Sequence, residues 1–269
     1  MSTFRMTHLK KLTPFFLATT FSGLTLLTGC EQSIETAKQK PTQQSLPSIS
    51  VAEKKANFFA YLKPMIERAN AAVLDQRHQL LKLTQPFDEL SEKQIKLLTS
   101  LAKTYRVDKA LPLEQQIKQL KMKVNTIPAA LILAQAANES AWGTSRFAKE
   151  GNNFFGQWCF SKGCGLVPNS RNAGASHEVA RFDSPLESVK SYIRNLNSHP
   201  TYALLRTLRQ QSIDDGKAVN GEILAQGLIG YSERGEEYVK EIQSMIRYNK
   251  LSRFDADTSS SNINSKDKG

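Results

Sequence analysis

Residues 127–143 constrain the fold more than any other stretch, because they predict one helix that begins at Pro128 and ends in a turn at Gly143. Proline suits the first helical position, where its missing N–H would have no partner. The alanines and leucines that follow have high helix propensity. Glu139 closes the run, and three of the four residues that share its face over the two preceding turns are apolar. The sequence therefore predicts a buried helical stripe that ends in a carboxylate.

Glu139 is a candidate catalytic acid because of that position. A carboxyl group against an apolar wall has a raised pKa and can keep its proton near neutral pH. A protonated carboxyl group is what general-acid catalysis requires. The same spacing also suits a buried structural glutamate that pairs with an arginine or caps a turn.

The N-terminal residues 1–29 have the composition of a secretory signal. Arg5, Lys10 and Lys11 precede a short apolar stretch that ends in small residues. Pro14 and several hydroxyl-bearing residues interrupt this stretch, which argues against a membrane-spanning helix.

Residues 27–30, Leu-Thr-Gly-Cys, resemble a bacterial lipobox. The resemblance implies cleavage before Cys30 and lipidation of its thiol, and two or more acyl chains would anchor the protein stably to the bacterial membrane. Glu31 follows the cysteine instead of aspartate, which favours the periplasmic face of the outer membrane. A secreted soluble protein with an incidental cysteine is the alternative.

Residues 30–52 and 255–269 are rich in polar residues and predict a flexible tether and a disordered tail. The residues between them suffice for one domain with a real core. We expect a helical extension over residues 53–124 and the functional domain over residues 125–254, in a monomer.

The formal net charge of +11 favours anionic partners. Loss of Arg5, Lys10 and Lys11 with the signal would leave about +8. In a cell envelope the partners would be wall polymers or lipid head groups, whereas nucleic acid fits the charge but not the compartment. A solvated basic face with no partner is the alternative.

Cys159 and Cys164 predict a short-loop disulfide in an oxidising compartment. A metal site would need further cysteine or histidine ligands nearby, and none stands at ligand spacing. We therefore expect no metal and no cofactor.

Apolar spacing and capping signals predict a mostly α, α+β fold with a short β-containing lobe after the catalytic helix. Ser91 and Ser184 each begin a capping-box pattern, and Pro64 predicts a helix start or kink. Residues 151–183 lack a helical period, and a strand is expected near residues 178–182. The other predicted helical stretches are 57–83, 91–105, 113–124, 184–196, 200–208, 222–228 and 236–248.

The residues around Glu139 include aromatic and amide side chains suited to sugars. Aromatic rings can stack on the flat C–H faces of sugar rings, and amides donate and accept hydrogen bonds. The candidate substrate-binding residues are Trp142, Asn152, Asn153, Phe154, Phe155 and Trp158. Plain core packing is the alternative for Phe154, Phe155 and Trp158.

Two further residues are candidate catalytic groups. Glu178 could be the second carboxylate that glycosidases usually use, although a glutamate on a strand is more often solvated. Tyr231 lies between glycines at a helix junction and could reach into a cleft, or could simply link two helices.

These motifs together carry a family resemblance. The run over residues 127–145 and the Asn-Asn-Phe-Phe-Gly stretch at residues 152–156 resemble the glucosaminidases of glycoside hydrolase family 73. Further similarity, to the Bax-type branch of that family, lies in residues 158–165, 177–182, 195–197 and 231–235.

The resemblance implies a lysozyme-like fold that cleaves peptidoglycan glycan strands after N-acetylglucosamine. It places the general acid on Glu139 and the conserved tyrosine on Tyr231. Residues 232–234, Ser-Glu-Arg, depart from the Ala-Thr-Asp type of the family motif. Glu178 corresponds only loosely to the second carboxylate, so both water activation by Glu178 and assistance by the substrate's N-acetyl group stay open. A lytic transglycosylase and a non-catalytic wall-binding lipoprotein are the alternative functions.

Overall fold

The computed structural model describes residues 49–83, 89–169, 171 and 174–255. The predicted signal, Cys30, the tether up to residue 48 and the tail from residue 256 lie outside them. None of the helices described is long and apolar enough to cross a membrane.

The described residues form a mostly helical structure with a small sheet, as predicted. The helices are α1 (Val51–Leu81), α2 (Glu92–Thr104), α3 (Leu113–Lys123), α4 (Ala129–Glu139), α5 (Arg146–Gly151), α6 (Pro185–Ser198), α7 (Ala203–Asp214), α8 (Gly221–Leu224) and α9 (Glu236–Tyr248). Short 3₁₀ segments cover Pro200–Tyr202, Ala225–Leu228 and Leu251–Phe254. The strands are β1 (Trp158–Cys159), β2 (Gly165–Leu166) and β3 (Glu178–Ala180).

Helix α4 is the buried centre of this structure. Each residue from 129 to 137 is buried, because α1, α8, α9 and the segment Leu251–Phe254 pack around it. A helix that is apolar on nearly all sides is stable only when other elements cover it from water. The helix begins one residue later than predicted, since Pro128 has an extended ψ of 136° and occupies the cap position.

Helix α1 is one continuous helix of 31 residues, although Pro64 predicted a start or a kink. Proline removes one helical hydrogen bond. Leu62 and Ile66 are fully buried on either side of it, and α1 packs along α6 and α4. Tertiary packing therefore outweighs the local preference of Pro64 and holds the helix together.

The two predicted capping patterns differ in outcome. Ser91 and Gln94 form the complete capping box at the start of α2. Ser184 accepts the N–H of Glu187 at the start of α6. The Glu187 carboxylate pairs with Lys190 one turn on, so the second half of that box is replaced by an ion pair.

The β lobe is a three-stranded antiparallel sheet in the order β1-β3-β2. The predicted disulfide joins Cys159 in β1 to Cys164, the residue before β2. Gly165 is required by close packing, because a Cβ there would lie 2.0 Å from the carbonyl oxygen of Val179. These constraints fix a very short lobe beside the end of α4.

Candidate active site

A cleft of about 490 Å³ lies where α4 ends against the β lobe. It is lined by Asn138, Glu139, Phe155, Gly156, Gln157, Trp158, Asn195, Tyr202, Tyr231, Ser232, Arg234 and Tyr238. Glu139 is the one carboxylate among these residues of the described chain. The cleft therefore offers a single acidic group surrounded by aromatic and amide side chains.

Glu139 is partly buried at the end of α4, and this burial raises its pKa above the ordinary value. The Tyr238 hydroxyl donates a hydrogen bond to Glu139 Oε1 over 2.7 Å, and Asn138 Nδ2 donates to the same oxygen over 3.4 Å. Both bonds favour the ionised form and oppose the effect of burial. The net direction is upward, so the carboxyl group holds its proton to a higher pH than a solvated glutamate does.

A chain of buried hydrogen bonds supports Tyr238. Tyr192 donates its hydroxyl to Gln135 Oε1, and Gln135 Nε2 donates to the Tyr238 oxygen over 2.8 Å. With its oxygen accepting from Gln135, Tyr238 directs its own hydrogen to Glu139. The chain thus fixes both the position and the donor direction of the group beside the carboxylate.

Sequence reasoning missed Tyr238 and Gln135. Gln135 lies four residues before Glu139 and was the polar exception in an apolar stripe, which was an available signal. Tyr238 lies on the buried face of α9 with Val239, Ile242 and Ile246. Aromatic residues on such a face usually belong to the core, so nothing in the spacing separated Tyr238 from it.

Tyr231 lines the cleft but does not bond Glu139 directly. Its hydroxyl donates to the carbonyl oxygen of Phe155 over 2.8 Å, and its ring stacks on Tyr238 with centroids 5.4 Å apart. Burial raises the pKa of Tyr231, so its hydroxyl stays protonated. Tyr231 therefore links the segment before β1 to α9.

Two of the predicted aromatic residues line the cleft. Trp158 is 60% exposed and stacks on His177 with ring centroids 4.2 Å apart. Phe155 is buried against Tyr192, with centroids 4.1 Å apart. Trp158 therefore presents a supported, open ring to the cleft, while Phe155 forms part of its floor.

Four other residues predicted to bind substrate do not line this cleft. Asn153 is buried and donates to the carbonyls of Gln157 and Ala180. Asn152, with a left-handed φ of 51°, caps α5 and donates to Phe182. The two remaining residues, Phe154 and Trp142, pack against Phe58 of α1. The amide pair orders the backbone, because a turn between helix and sheet leaves carbonyls that need donors.

Glu178 also departs from its predicted role as a second catalytic carboxylate. It is buried in β3, and its two oxygens accept the N–H groups of Gly163 and Gly165 over 3.0 and 2.8 Å. These bonds lower its pKa. Glu178 does not line the cleft, so we assign it to fixing the disulfide loop.

Ligand atoms of Cys159, Cys164 and Glu178 lie within 4.8 Å of one another, which raises the question of a metal site. The two sulfurs are joined in a disulfide and cannot act as thiolate ligands. The donor set therefore does not suit a metal ion while the bridge is intact.

The turn after Glu139 is strained. Ala141, Trp142 and Gly143 have consecutive φ values of 49°, 61° and 76°, a left-handed run that only glycine adopts freely. Ser140 supports the run, since its hydroxyl accepts the N–H of Gly143 over 2.7 Å. Such strain persists where surrounding contacts over-determine the backbone, and it commonly marks a functional site.

The glucosaminidase family profile, described as mannosyl-glycoprotein endo-beta-N-acetylglucosaminidase, matches residues 115–251. This chain belongs to the glucosaminidase family. It is accordingly a glycoside hydrolase. The matched residues include all those that line the cleft, whereas α1 and α2 precede the match.

Relatives of this glucosaminidase include the protein bax of Escherichia coli K12, which is 30% identical over 224 residues. The alignment covers 80% of this chain and 78% of bax. Among solved structures, the catalytic domain of the autolysin Auto from Listeria monocytogenes is 14% identical, with a TM-score of 0.42. That match covers 78% of this chain and 92% of the Auto domain.

Proposed function

We propose that this glucosaminidase is an endo-β-N-acetylglucosaminidase that cleaves peptidoglycan glycan strands after N-acetylglucosamine, with Glu139 as the general acid. The observation that carries the proposal is the environment of Glu139. Its carboxyl group has a raised pKa, opens into a cleft with an exposed tryptophan, and is oriented by Tyr238. This is the environment that a proton donor to a glycosidic oxygen requires.

The lining of the cleft favours assistance by the substrate over a second protein carboxylate. A second carboxylate would normally activate water or attack the sugar, but Glu139 is the one carboxylate among the described lining residues. Glu178, the candidate for that role, already holds two backbone N–H groups. The N-acetyl group of the substrate can supply the missing nucleophile.

The proposed reaction has two steps, formation of an oxazolinium ring and its hydrolysis. Glu139 gives its proton to the glycosidic oxygen as the N-acetyl carbonyl oxygen attacks C1, so the leaving sugar departs with a new hydroxyl and an oxazolinium ring forms. The Glu139 carboxylate then takes a proton from water, whose oxygen attacks C1 and opens the ring. The product is a reducing N-acetylglucosamine end, and Glu139 is protonated again.

Tyr238 serves both steps from its position at Glu139. Its hydrogen bond steadies the carboxylate that exists between the steps. Trp158 supplies the stacking surface for a sugar ring, and Arg234, which forms an ion pair with Glu241, lies at the same cleft.

Digestion of purified sacculi tests this function. The wild-type protein should release fragments with reducing N-acetylglucosamine ends in mass spectra, and Glu139→Gln should release about 10²- to 10⁴-fold less. Glu237→Gln, at an exposed position on α9, is a matched control that should behave as wild type. Equal digestion by wild type and Glu139→Gln would remove Glu139 from the role.

A lytic transglycosylase is the second candidate, favoured by the same single carboxylate. In that reaction a substrate hydroxyl replaces water, and the product is an anhydro end that is lighter by one water. The mass spectrum separates the two outcomes directly. Sacculus binding with no new sugar ends would instead identify a wall-binding lipoprotein without turnover.

We also propose that the protein is lipid-anchored through Cys30 at the periplasmic face of the outer membrane. Support for the anchor is the Leu-Thr-Gly-Cys motif after a basic and apolar start. Fractionation of cells that express Cys30→Ser tests it: the variant should leave the membrane fraction. Unchanged membrane association of the variant would contradict lipid anchoring.

A further inference from the structure

A second groove, of about 400 Å³, lies beside the catalytic cleft and shares no lining residue with it. It is formed by α1, the strained turn and α5, and its lining is Lys54, Asn57, Phe58, Tyr61, Trp142, Gly143, Ala148, Lys149, Asn152 and Phe154. Phe154 faces this groove and its neighbour Phe155 faces the cleft, so one backbone segment separates the two.

The floor of the groove is aromatic and closely packed. The Trp142 and Phe58 rings meet edge to face with centroids 5.7 Å apart, and Phe154 lies 6.4 Å from Phe58. A Cβ at Gly143 would lie 3.3 Å from the Phe58 ring, so glycine permits this approach of α1 to the turn. Tyr61, which is 49% exposed, extends the apolar surface outward.

The rim of the groove is basic. Lys54 on α1 and Lys149 on α5 are exposed, and no carboxylate is among the described residues that line the groove. Glu150, the residue after Lys149 on α5, forms its ion pair with Arg146. Glu150 therefore does not neutralise the charge of Lys149.

Two amides complete the set of recognition groups. Asn57 is exposed on α1, and Asn152 donates its Nδ2 to the carbonyl of Phe182. The Oδ1 of Asn152 remains an acceptor suited to a peptide N–H. The groove thus combines an aromatic floor, two amide groups and the two ammonium groups of Lys54 and Lys149. This set is complementary to a short peptide, because the ammonium groups suit its carboxylates and the floor suits its small apolar side chains.

We propose that this groove binds an acidic peptide, the stem peptide carried by the glycan strand, next to the site of cleavage. The inference rests on the proposed peptidoglycan substrate. A bare neutral glycan would use the aromatic floor but would leave Lys54 and Lys149 without partners, whereas stem peptides carry carboxylates. The groove involves α1, which lies outside the residues matched by the family profile.

Binding of a free stem tripeptide to the full-length wild-type protein tests the groove without any glycosidic cleavage. Titration calorimetry should show binding that weakens as salt is added, because the ammonium groups are exposed. Lys54→Gln/Lys149→Gln should raise the Kd about tenfold, and Lys54→Arg/Lys149→Arg should restore it. A tripeptide with amidated carboxylates should bind wild type as weakly as the acidic peptide binds the double glutamine variant.

Lys93→Gln/Lys118→Gln is the matched control, since it removes the same charge from exposed positions on α2 and α3 outside the groove. This variant should bind like wild type. Absence of binding, or a Kd that is equal in all four proteins, would overturn the proposal. A loss that is equal in both glutamine variants would also overturn it, because net charge and not the groove would then explain binding.

Cleavage assays keep this inference separate from the proposed function. Wild type should cleave peptide-bearing strands with a higher kcat/KM than strands stripped of peptides, and the ratio should fall toward one in Lys54→Gln/Lys149→Gln. Cleavage of both kinds of strand at equal rates by the wild type would contradict the peptide-binding role of the groove and would leave the proposed glucosaminidase function standing. Cleavage of neither strand, with peptide binding retained, would contradict the proposed function and leave the groove.

Discussion

The hydroxyl of Tyr238 donates to Glu139 Oε1 over 2.7 Å, which joins residues 99 positions apart in the chain. The bond favours the ionised carboxylate, so it partly offsets the burial that raises the pKa of Glu139. Tyr238 therefore lowers the proton affinity that burial gives to Glu139, without cancelling the effect of burial.

Replacement of Tyr238 by phenylalanine should lower kcat about 10²-fold, by the general scale for loss of one preorganised donor. It should also shift the alkaline limb of the kcat/KM profile to higher pH, because the Glu139 carboxylate loses the donor that lowers its pKa. The pH profile of the purified variant measures both effects. Tyr248→Phe, at an 81% exposed position at the end of α9, is the control. A profile shifted to lower pH would contradict the assigned direction.

Glu139→Gln should lower activity yet raise thermal stability near neutral pH. The folded pKa of Glu139 lies above its unfolded value, so the folded state holds the proton more tightly and the wild type loses stability as pH rises between the two values. The Gln variant has no such loss. Melting curves across pH should therefore show a stability gain for the variant that shrinks as pH falls below the ordinary glutamate value of 4.5. A gain that grew toward acid pH would have the wrong sign.

Glu178→Gln should loosen the disulfide loop without removing catalysis. A glutamine offers one carbonyl oxygen where the carboxylate accepts from both Gly163 and Gly165. We expect a higher KM, from poorer support of the neighbouring Trp158 strand, with a loss of kcat of less than about tenfold. A loss of kcat as large as that of Glu139→Gln would instead show that Glu178 takes part in catalysis.

We also expect Glu178 to make the free energy of unfolding depend on pH. Its folded pKa is depressed, so its stabilising contribution is present above the ordinary value of 4.5 and is lost as pH falls through the folded value. Acid unfolding of wild type and Glu178→Gln should therefore converge at low pH. Curves that diverge there would contradict the assignment.

Cys159→Ser/Cys164→Ser should lower the free energy of unfolding by about 2 kcal/mol, on the chain-entropy scale for a loop this short. Chemical denaturation under oxidising conditions measures the difference. A reductant should bring wild type to the level of the variant and leave the variant unchanged. A variant as stable as oxidised wild type would show that the bridge does not constrain the lobe.

The sequence predicted those parts of the structure that depend on local patterns. The buried stripe before Glu139, the capping box at Ser91 and the Cys159–Cys164 bridge follow from spacing and are present in the structure. Residues 57–83 were predicted to form one or two helices with a start or kink near Pro64, and they lie in one helix that ends at Leu81, because tertiary packing outweighs the local penalty.

The candidate site was harder to predict than the fold. Tyr238 reaches Glu139 only because α9 packs against α4, and no local pattern reports that contact. Asn153 and Glu178 were candidates for substrate binding and catalysis because of their residue types, but their hydrogen bonds go to backbone groups in and beside the β lobe. Polar residue types show what a side chain can bond, and the three-dimensional arrangement decides which partner it meets.

Helix α1 limits how far this enzyme can be shortened from its N-terminal side. Its Phe58 and Phe59 rings lie 5.7 and 5.4 Å from Trp142, in the turn that immediately follows Glu139. A fragment that starts at residue 115, where the family match starts, would lack this clamp and expose the apolar sides of α4 and α6 to water. We therefore expect a fragment that starts at residue 115 to be less stable than one that starts at Val51, and gene fusions or truncations should keep α1.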